Sequence, residues 1–304
     1  MIPNKKPDHI LKNGLIAISH PILLTKRITY NLKRGFSDTL AHFDYYKYPN
    51  KIIFLAGMAM SASTWMKNLC GRIPGYYSRS IPMPIEISYY QNICDSAFNY
   101  VPSKGYSLIK THLNPTQENL ECIRRNGVDK ILITYRDLRD VVLSRYHRLI
   151  VFPKPMSRED FIDYNALGKE KAINHSIKHV AKVYTKWIKG WLEIAKENQN
   201  NYHFTKFEDL KLDTKGEFKK VLKFYQINLD EQKINNIIEL SKGTKSMKKN
   251  IKDARVLPNS INSNFRSGKI GNWKKEMSNN HIEMCKELLG TSLIELGYEK
   301  DLDW

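Results

Sequence analysis

The sequence predicts an α/β fold in three layers, α/β/α, with a central parallel sheet between two layers of helices. Two observations predict it. Short apolar runs with the look of buried strands recur along the chain, and helical patterns alternate with them. A third removes the alternatives, because no internal repeat and no Pro/Gly-rich linker splits the 304 residues. With 41% apolar residues the chain can build a sizeable core. Residues 1–304 are therefore expected to form a single domain, with 1–48 as an N-terminal helical and loop extension.

Taken in order, residues 1–50 mix helix and loop and end in an aromatic cluster, Phe43, Tyr45, Tyr46 and Tyr48. Residues 51–56, Lys-Ile-Ile-Phe-Leu-Ala, form a short apolar run stopped by Gly57, the pattern of a buried strand. Ser63 to Cys70 reads as a helix, and Ser107 to Thr111 as a second strand. A helix follows over Pro115 to Arg125, with Asn114 as cap and Pro115 in the first position. Lys130 to Tyr135 is the next strand and Leu138 to Leu149 the next helix. His175 to Asn198 reads as one long amphipathic helix with Val183, Trp187 and Trp191 on a stripe. Tyr202 to Lys206 is a strand, Lys215 to Tyr225 and Glu231 to Leu240 are helices, and residues 241–276 look irregular. A closing helix runs from His281 to Leu296 and stops at Gly297.

The formal charge is +18, which favours anionic partners: a polyanionic nucleotide, an anionic membrane or nucleic acid. Lysines spread over solvated faces would give the same total. The tract Lys242 to Lys252 lacks a recognisable nucleic-acid module, so no nucleic-acid partner is expected. No run of eighteen apolar residues exists, and the N-terminal stretch lacks a signal peptide's apolar core; no membrane partner and a cytoplasmic location are expected. Cys70, Cys94, Cys122 and Cys285 are far apart and read as free thiols. His175 and His179 lie four apart, but no Glu or Cys within a turn completes a ligand set, so no metal is expected.

The segment Gly57-Met58-Ala59-Met60-Ser61-Ala62-Ser63-Thr64-Trp65 joins a strand to a helix through small residues. A helix N-terminus offers unpaired N–H groups and the positive end of its dipole, and small side chains let an anion reach them. The loop has no lysine, so it is not the Gly-Lys-Ser/Thr loop of nucleotide hydrolases.

This run resembles the 5′-phosphosulfate loop of cytosolic-type sulfotransferases that use 3′-phosphoadenosine-5′-phosphosulfate (PAPS). Three further segments follow in the family's order. Lys110-Thr111-His112-Leu113 is similar to Lys-Thr-His-Leu; Arg136 and Ser144 stand eight apart across a strand end and helix; Phe265-Arg266-Ser267-Gly268-Lys269-Ile270-Gly271-Asn272-Trp273 is similar to Arg-Lys-Gly-x-x-Gly-Asp-Trp. Phe207-Glu208-Asp209-Leu210 is similar to Tyr-Glu-Asp-Leu. The resemblance implies a P-loop NTPase-like fold and sulfuryl transfer from PAPS, leaving adenosine 3′,5′-bisphosphate (PAP), with no metal.

By the same resemblance, Met60, Ser61, Ala62, Ser63 and Thr64 line the phosphosulfate site, and Trp65 and Phe207 lie near the adenine. Arg136, Ser144, Arg266, Ser267 and Gly268 hold the 3′-phosphate. His112 is the general base, and Lys110 holds the sulfuryl group. Met60 stands where the family has a loop cation: either another cation, Lys110 or Arg139, compensates, or the enzyme is slow or specialised, or the chain binds the nucleotide without turnover, a working enzyme being favoured because His112 and Lys110 remain. A small-molecule acceptor is expected against Phe43, Tyr45, Tyr46, Tyr89, Tyr90, Tyr146 and His147, aromatics suited to an aromatic, steroid-like or cationic compound. The family's dimer contact would fall on Lys274, Ser278, Asn279 and Glu283, with Asn279 in place of Val, so a monomer or weak homodimer is expected.

Overall fold

The computed structural model describes residues 21–79, 91–151, 162–241 and 268–304. Among these, five strands form one sheet: β1 Ile52–Gly57, β2 Tyr76–Ser78, β3 Tyr106–Thr111, β4 Ile131–Tyr135 and β5 Tyr202–Lys206. Their order is β2-β3-β1-β4-β5 and every pairing is parallel. β1 lies at the centre with all six residues buried. Its alternation sends Ile52, Phe54 and Ala56 into one core and Ile53 and Leu55 into the other.

Helices cover both faces. Against Ile53 and Leu55 lie α2 (Ser63–Cys70), α8 (Thr214–Phe224) and α9 (Glu231–Ser241), through Met66, Leu69, Phe218, Val221 and Ile237. The other face is filled by α3 (Gln117–Arg125), α4 (Leu138–Val151), α5 (Tyr164–His179), α6 (Thr185–Glu197) and α11 (Asn279–Glu295). Trp187 and Trp191 belong to this core, and the Trp187 indole donates to the Leu113 carbonyl at 2.7 Å. Three smaller pieces complete the set: α1 (Pro21–His42), α7 (Phe207–Leu212) and α10 (Trp273–Glu276). The three-layer arrangement and parallel sheet are as the sequence predicts. No helix among the described residues is long and apolar enough to cross a membrane.

Several boundaries differ from expectation. α3 begins at Gln117, because the Thr116 hydroxyl, not Asn114, caps it by accepting from the Asn119 amide. Pro115 instead abuts α6, where a Cβ on Gly190 would come within 2.6 Å of its ring. The expected long helix starts earlier, at Tyr164, and is interrupted by a π-helical turn over Val180–Tyr184. β2 and α7 carry no clear periodicity and are additions to the sequence reading.

The strand order places the site. The chain builds β2 and β3 on one side of β1, then crosses to build β4 and β5 on the other. The crevice beyond the carboxyl end of β1 is thus a topological switch point, where open parallel sheets bind ligands. Gly57, His112 and Arg136 emerge there from the ends of β1, β3 and β4.

Candidate active site

The loop after β1 is a narrow turn fastened to its neighbour strand. The Met58 amide donates to the Thr134 carbonyl at 2.8 Å, and the buried Ser61 hydroxyl lies 2.7 Å from the Met58 carbonyl and 3.0 Å from the Thr134 carbonyl. Ser61 therefore anchors the loop from beneath and does not present its hydroxyl to a ligand, a correction to its expected role. Gly57 is required by close approach, since a Cβ there would lie 2.3 Å from the Ser63 Cβ. Met60 and Ala62 take left-handed conformations, with φ of 68° and 61°. Ala62 caps α2 without a side-chain bond. The amides of Ala62, Ser63 and Thr64 have no backbone acceptor among the described residues. They make a cradle for an anion at the positive end of α2.

Beside this cradle, His112 and Lys110 leave the end of β3. His112 Nδ1 lies 2.5 Å from the Gly57 carbonyl, which can only accept, so Nδ1 carries the proton. Nε2 then holds the lone pair and accepts from Lys110 Nζ at 3.3 Å. Burial, reinforced by the Lys110 and Arg148 charges, pushes the imidazole down to about 4 against the opposing pull of the Gly57 carbonyl. Burial first, then the charges of Lys67 and Arg148, push Lys110 down to about 8. At neutral pH this is a neutral base beside an ammonium that stays mostly charged.

A second polar cluster lies at the end of β4. The Arg136 guanidinium reaches the Ser144 hydroxyl at 3.3 Å, Asp140 at 3.1 Å and the Lys269 carbonyl at 2.7 Å, and stacks 4.3 Å over the Phe207 ring. Its buried Nε makes no hydrogen bond among the described residues. The C-terminal loop is held here: Asp140 accepts from the Gly271 amide at 2.9 Å and the Trp273 amide at 3.2 Å, and the Gly268 carbonyl accepts from Lys211. Arg136, Ser144, Phe207 and Gly268 thus lie together at the end of β4. Arg266 and Ser267 lie outside the described residues, as do Tyr89 and Tyr90.

Other expectations are redirected. Arg139 cannot replace the missing loop cation. It is buried and paired with Asp137 at 2.8 Å and Glu299 at 2.5 Å, and it packs in the corner between the edge-to-face rings of Trp273 and Trp304. His147 is paired with Glu276 at 2.5 Å, so it fastens α10 to α4 and is not open to an acceptor. Phe43 and Tyr45 are 76% and 69% exposed among the described residues. Trp65 and Tyr146 are half-buried against the two cores. Ser278 caps α11 with His281 in a capping box, which occupies its hydroxyl locally. Sequence reasoning gave no role to Lys67 or Arg148, whose charges act on Lys110, and it matched Asp140 to the family's run without pairing it to Arg136, although the four-residue spacing was a usable signal.

A parallel α/β sheet with an amide cradle, a buried imidazole and a guanidinium fork around its switch point makes a crevice suited to an anionic ligand. The sequence is more specific. Residues 27–297 match the profile of the sulfotransferase domain, and the chain belongs to that family. Rat sulfotransferase 1C2 is 31% identical over 183 residues, 56% of this chain and 56% of that protein. Cytosolic sulfotransferase 12 of Arabidopsis thaliana is 25% identical over 251 residues, 76% of this chain and 74% of that one. The chain spans little more than half the length of the rat relative it matches. The structure of a mouse sulfotransferase complexed with PAP superposes with a TM-score of 0.60 at 22% identity, covering 84% of this chain and 88% of that one, a likeness of fold.

Proposed function

We propose that the chain moves a sulfuryl group from PAPS to the hydroxyl, or amine, of a small-molecule acceptor, with His112 as base. One observation carries the reading: in the crevice beside the cradle, His112 is held neutral with its lone pair on Nε2, within reach of the Lys110 cation. The residues present fit the nucleotide. The free amides of Ala62, Ser63 and Thr64 suit the 5′-phosphosulfate, and Arg136, whose Nε makes no hydrogen bond and only a 4.0 Å ion pair with Glu208, suits the 3′-phosphate together with Ser144. Phe207 and Trp65 are the aromatic surfaces for the adenine.

In this scheme Lys110 turns from His112 to the sulfuryl oxygens when the anion arrives, which exposes Nε2. His112 takes the acceptor's proton as the acceptor oxygen or nitrogen bonds to sulfur. The bond from sulfur to the bridging phosphate oxygen breaks, its electron pair stays on that oxygen, and PAP leaves. Charge on the transferring group is met by Lys110 and the α2 amides, without a metal.

An acceptor screen with labelled PAPS tests the proposal, alongside calorimetry with PAP. Turnover that is lost in His112→Ala while PAP affinity persists supports it. Tight PAP binding with no turnover on any acceptor would instead favour a nucleotide-binding pseudoenzyme, the outcome Met60 points to. Salt-dependent binding to DNA or RNA without PAP affinity would replace both.

A further inference from the structure

We infer that Tyr298 is a positioning residue for the nucleotide's 3′-phosphate: its hydroxyl holds the Glu208 carboxylate back from Arg136, so that the guanidinium's Nε–H stays open to the phosphate. The inference rests on the PAPS reading above and deepens it.

Arg136 has five N–H donors, and three are engaged. Nη2 serves Asp140 at 3.1 Å and the Lys269 carbonyl at 2.7 Å, and Nη1 serves the Ser144 hydroxyl at 3.3 Å. The Nε–H is buried with no acceptor among the described residues, although a carboxylate stands close by: Glu208 Oε1 lies 4.0 Å away. A shift of about 1 Å would turn that approach into a hydrogen bond. Two groups taken out of water gain most from full charge-assisted contact. The buried guanidinium groups of Arg79 and Arg139 show such contact, with carboxylate oxygens at 2.7 Å and 2.8 Å. The gap at Arg136 therefore needs a restraint on Glu208.

Two donors supply the restraint. The Asp137 amide donates to Oε1 at 3.3 Å, and the Tyr298 hydroxyl donates to Oε2 at the shorter distance of 2.7 Å. Both oxygens accept, as those of an ionised carboxylate do. The local sequence fixes the phenol. α11 ends at Gly297, whose φ is 69°; its amide returns to the Ile294 carbonyl at 2.9 Å and the Tyr298 amide to the Leu293 carbonyl at 2.8 Å, the paired bonds of a glycine-terminated helix. The Tyr298 ring then meets Tyr135 of β4 edge-on at 6.3 Å, with Lys206 Nζ 4.8 Å from its centroid. Arg136 is held on its own side by Asp140, the Lys269 carbonyl and the Phe207 ring at 4.3 Å. With the guanidinium fixed and the carboxylate tethered, the partner for Nε–H has to come from a ligand, and a phosphate oxygen suits it.

Calorimetry with PAP and with adenosine 5′-monophosphate tests the inference, because the two nucleotides differ only in the 3′-phosphate. The wild type should prefer PAP. Tyr298→Phe keeps the ring and deletes the tether, so Glu208 should close on Nε and the preference should fall by about tenfold, a typical effect of one charged hydrogen bond, with the monophosphate affinity unchanged. In turnover the loss should appear in the KM for PAPS and not in kcat. Adding Glu208→Gln to Tyr298→Phe should restore most of the preference, since a neutral amide competes weakly for the guanidinium. A tyrosine that serves stability alone would lower the urea midpoint and leave the ratio of the two affinities intact, which would overturn the inference. So would equal losses for both nucleotides, or a double variant no better than Tyr298→Phe. A wild type that binds PAP no tighter than the monophosphate would sink the PAPS reading and the inference together; a wild-type preference that survives Tyr298→Phe sinks the inference alone.

Discussion

The buried pair at the end of β3 should give sulfuryl transfer an unusually wide acid range and an early alkaline fall. His112 acts as base when neutral, and burial with the Lys110 charge pushes it down to about 4. Lys110 acts when charged, and burial with the Lys67 charge pushes it down to about 8. The signs follow directly: kcat/KM rises as pH passes about 4 and falls as pH passes about 8. At pH 5.5 about 97% of His112 is neutral, whereas an ordinary histidine with pKa ~6.5 would be only about 9% neutral. At pH 9 only about a tenth of Lys110 remains charged, so the rate should fall about tenfold for each further pH unit. The assay is the initial rate from labelled PAPS at limiting substrate, using an alcohol acceptor that does not itself titrate. Lys110→Met should remove the alkaline limb, and Lys110→Arg should move it upward. In kcat both limbs should lie higher, because bound phosphosulfate favours the charged forms. An acid limb near 6.5 with a plateau extending beyond pH 10 would refute the argument that the two groups are desolvated together.

Three further outcomes are expected. Arg136→Gln removes the fork shared by Ser144 and the Lys269 carbonyl, so calorimetry should show PAP affinity falling by roughly thirtyfold, about 2 kcal/mol for lost charged hydrogen bonds. Met60→Lys places a cation in the cradle loop and should raise kcat by about tenfold or more; an unchanged or lower rate at saturating PAPS would show that position 60 does not limit the chemistry. Ala62→Gly relieves a left-handed alanine at φ 61° and should stabilise the fold by about 0.5–1 kcal/mol in urea unfolding, the strain relieved less the entropy that glycine adds to the unfolded chain.

Much of this was legible in the sequence, for a physical reason. Central parallel strands are buried on both faces, so β1 and β4 appear as continuous apolar runs that need no alternation to be seen. The residues of the anion sites lie just beyond those runs, which is why Gly57, His112, Arg136 and Ser144 could be placed by element. What was not legible depends on pairings across distant segments. β2 is three residues at the sheet edge, and α7 follows β5 directly with no capping side chain. The Ser61 hydroxyl turns downward because Thr134 lies beneath it, 73 positions away. His147 is taken by Glu276, 129 positions away. The charges of Lys67 and Arg148 act on Lys110 from two separate helices, and no linear motif records it.

The left-handed Met60 and Ala62 have a consequence for binding as well as for stability. A glycine at such a place leaves a free loop many shapes, and a ligand must freeze them out. Side chains with a Cβ exclude most of those shapes beforehand, and Ser61 fastens the turn to β4 whether or not a ligand is present. The ordering entropy is therefore spent during folding, where the sheet can supply it, and not at the encounter with the nucleotide. The loop gives up a little fold stability and is already fastened to β4 before a ligand arrives.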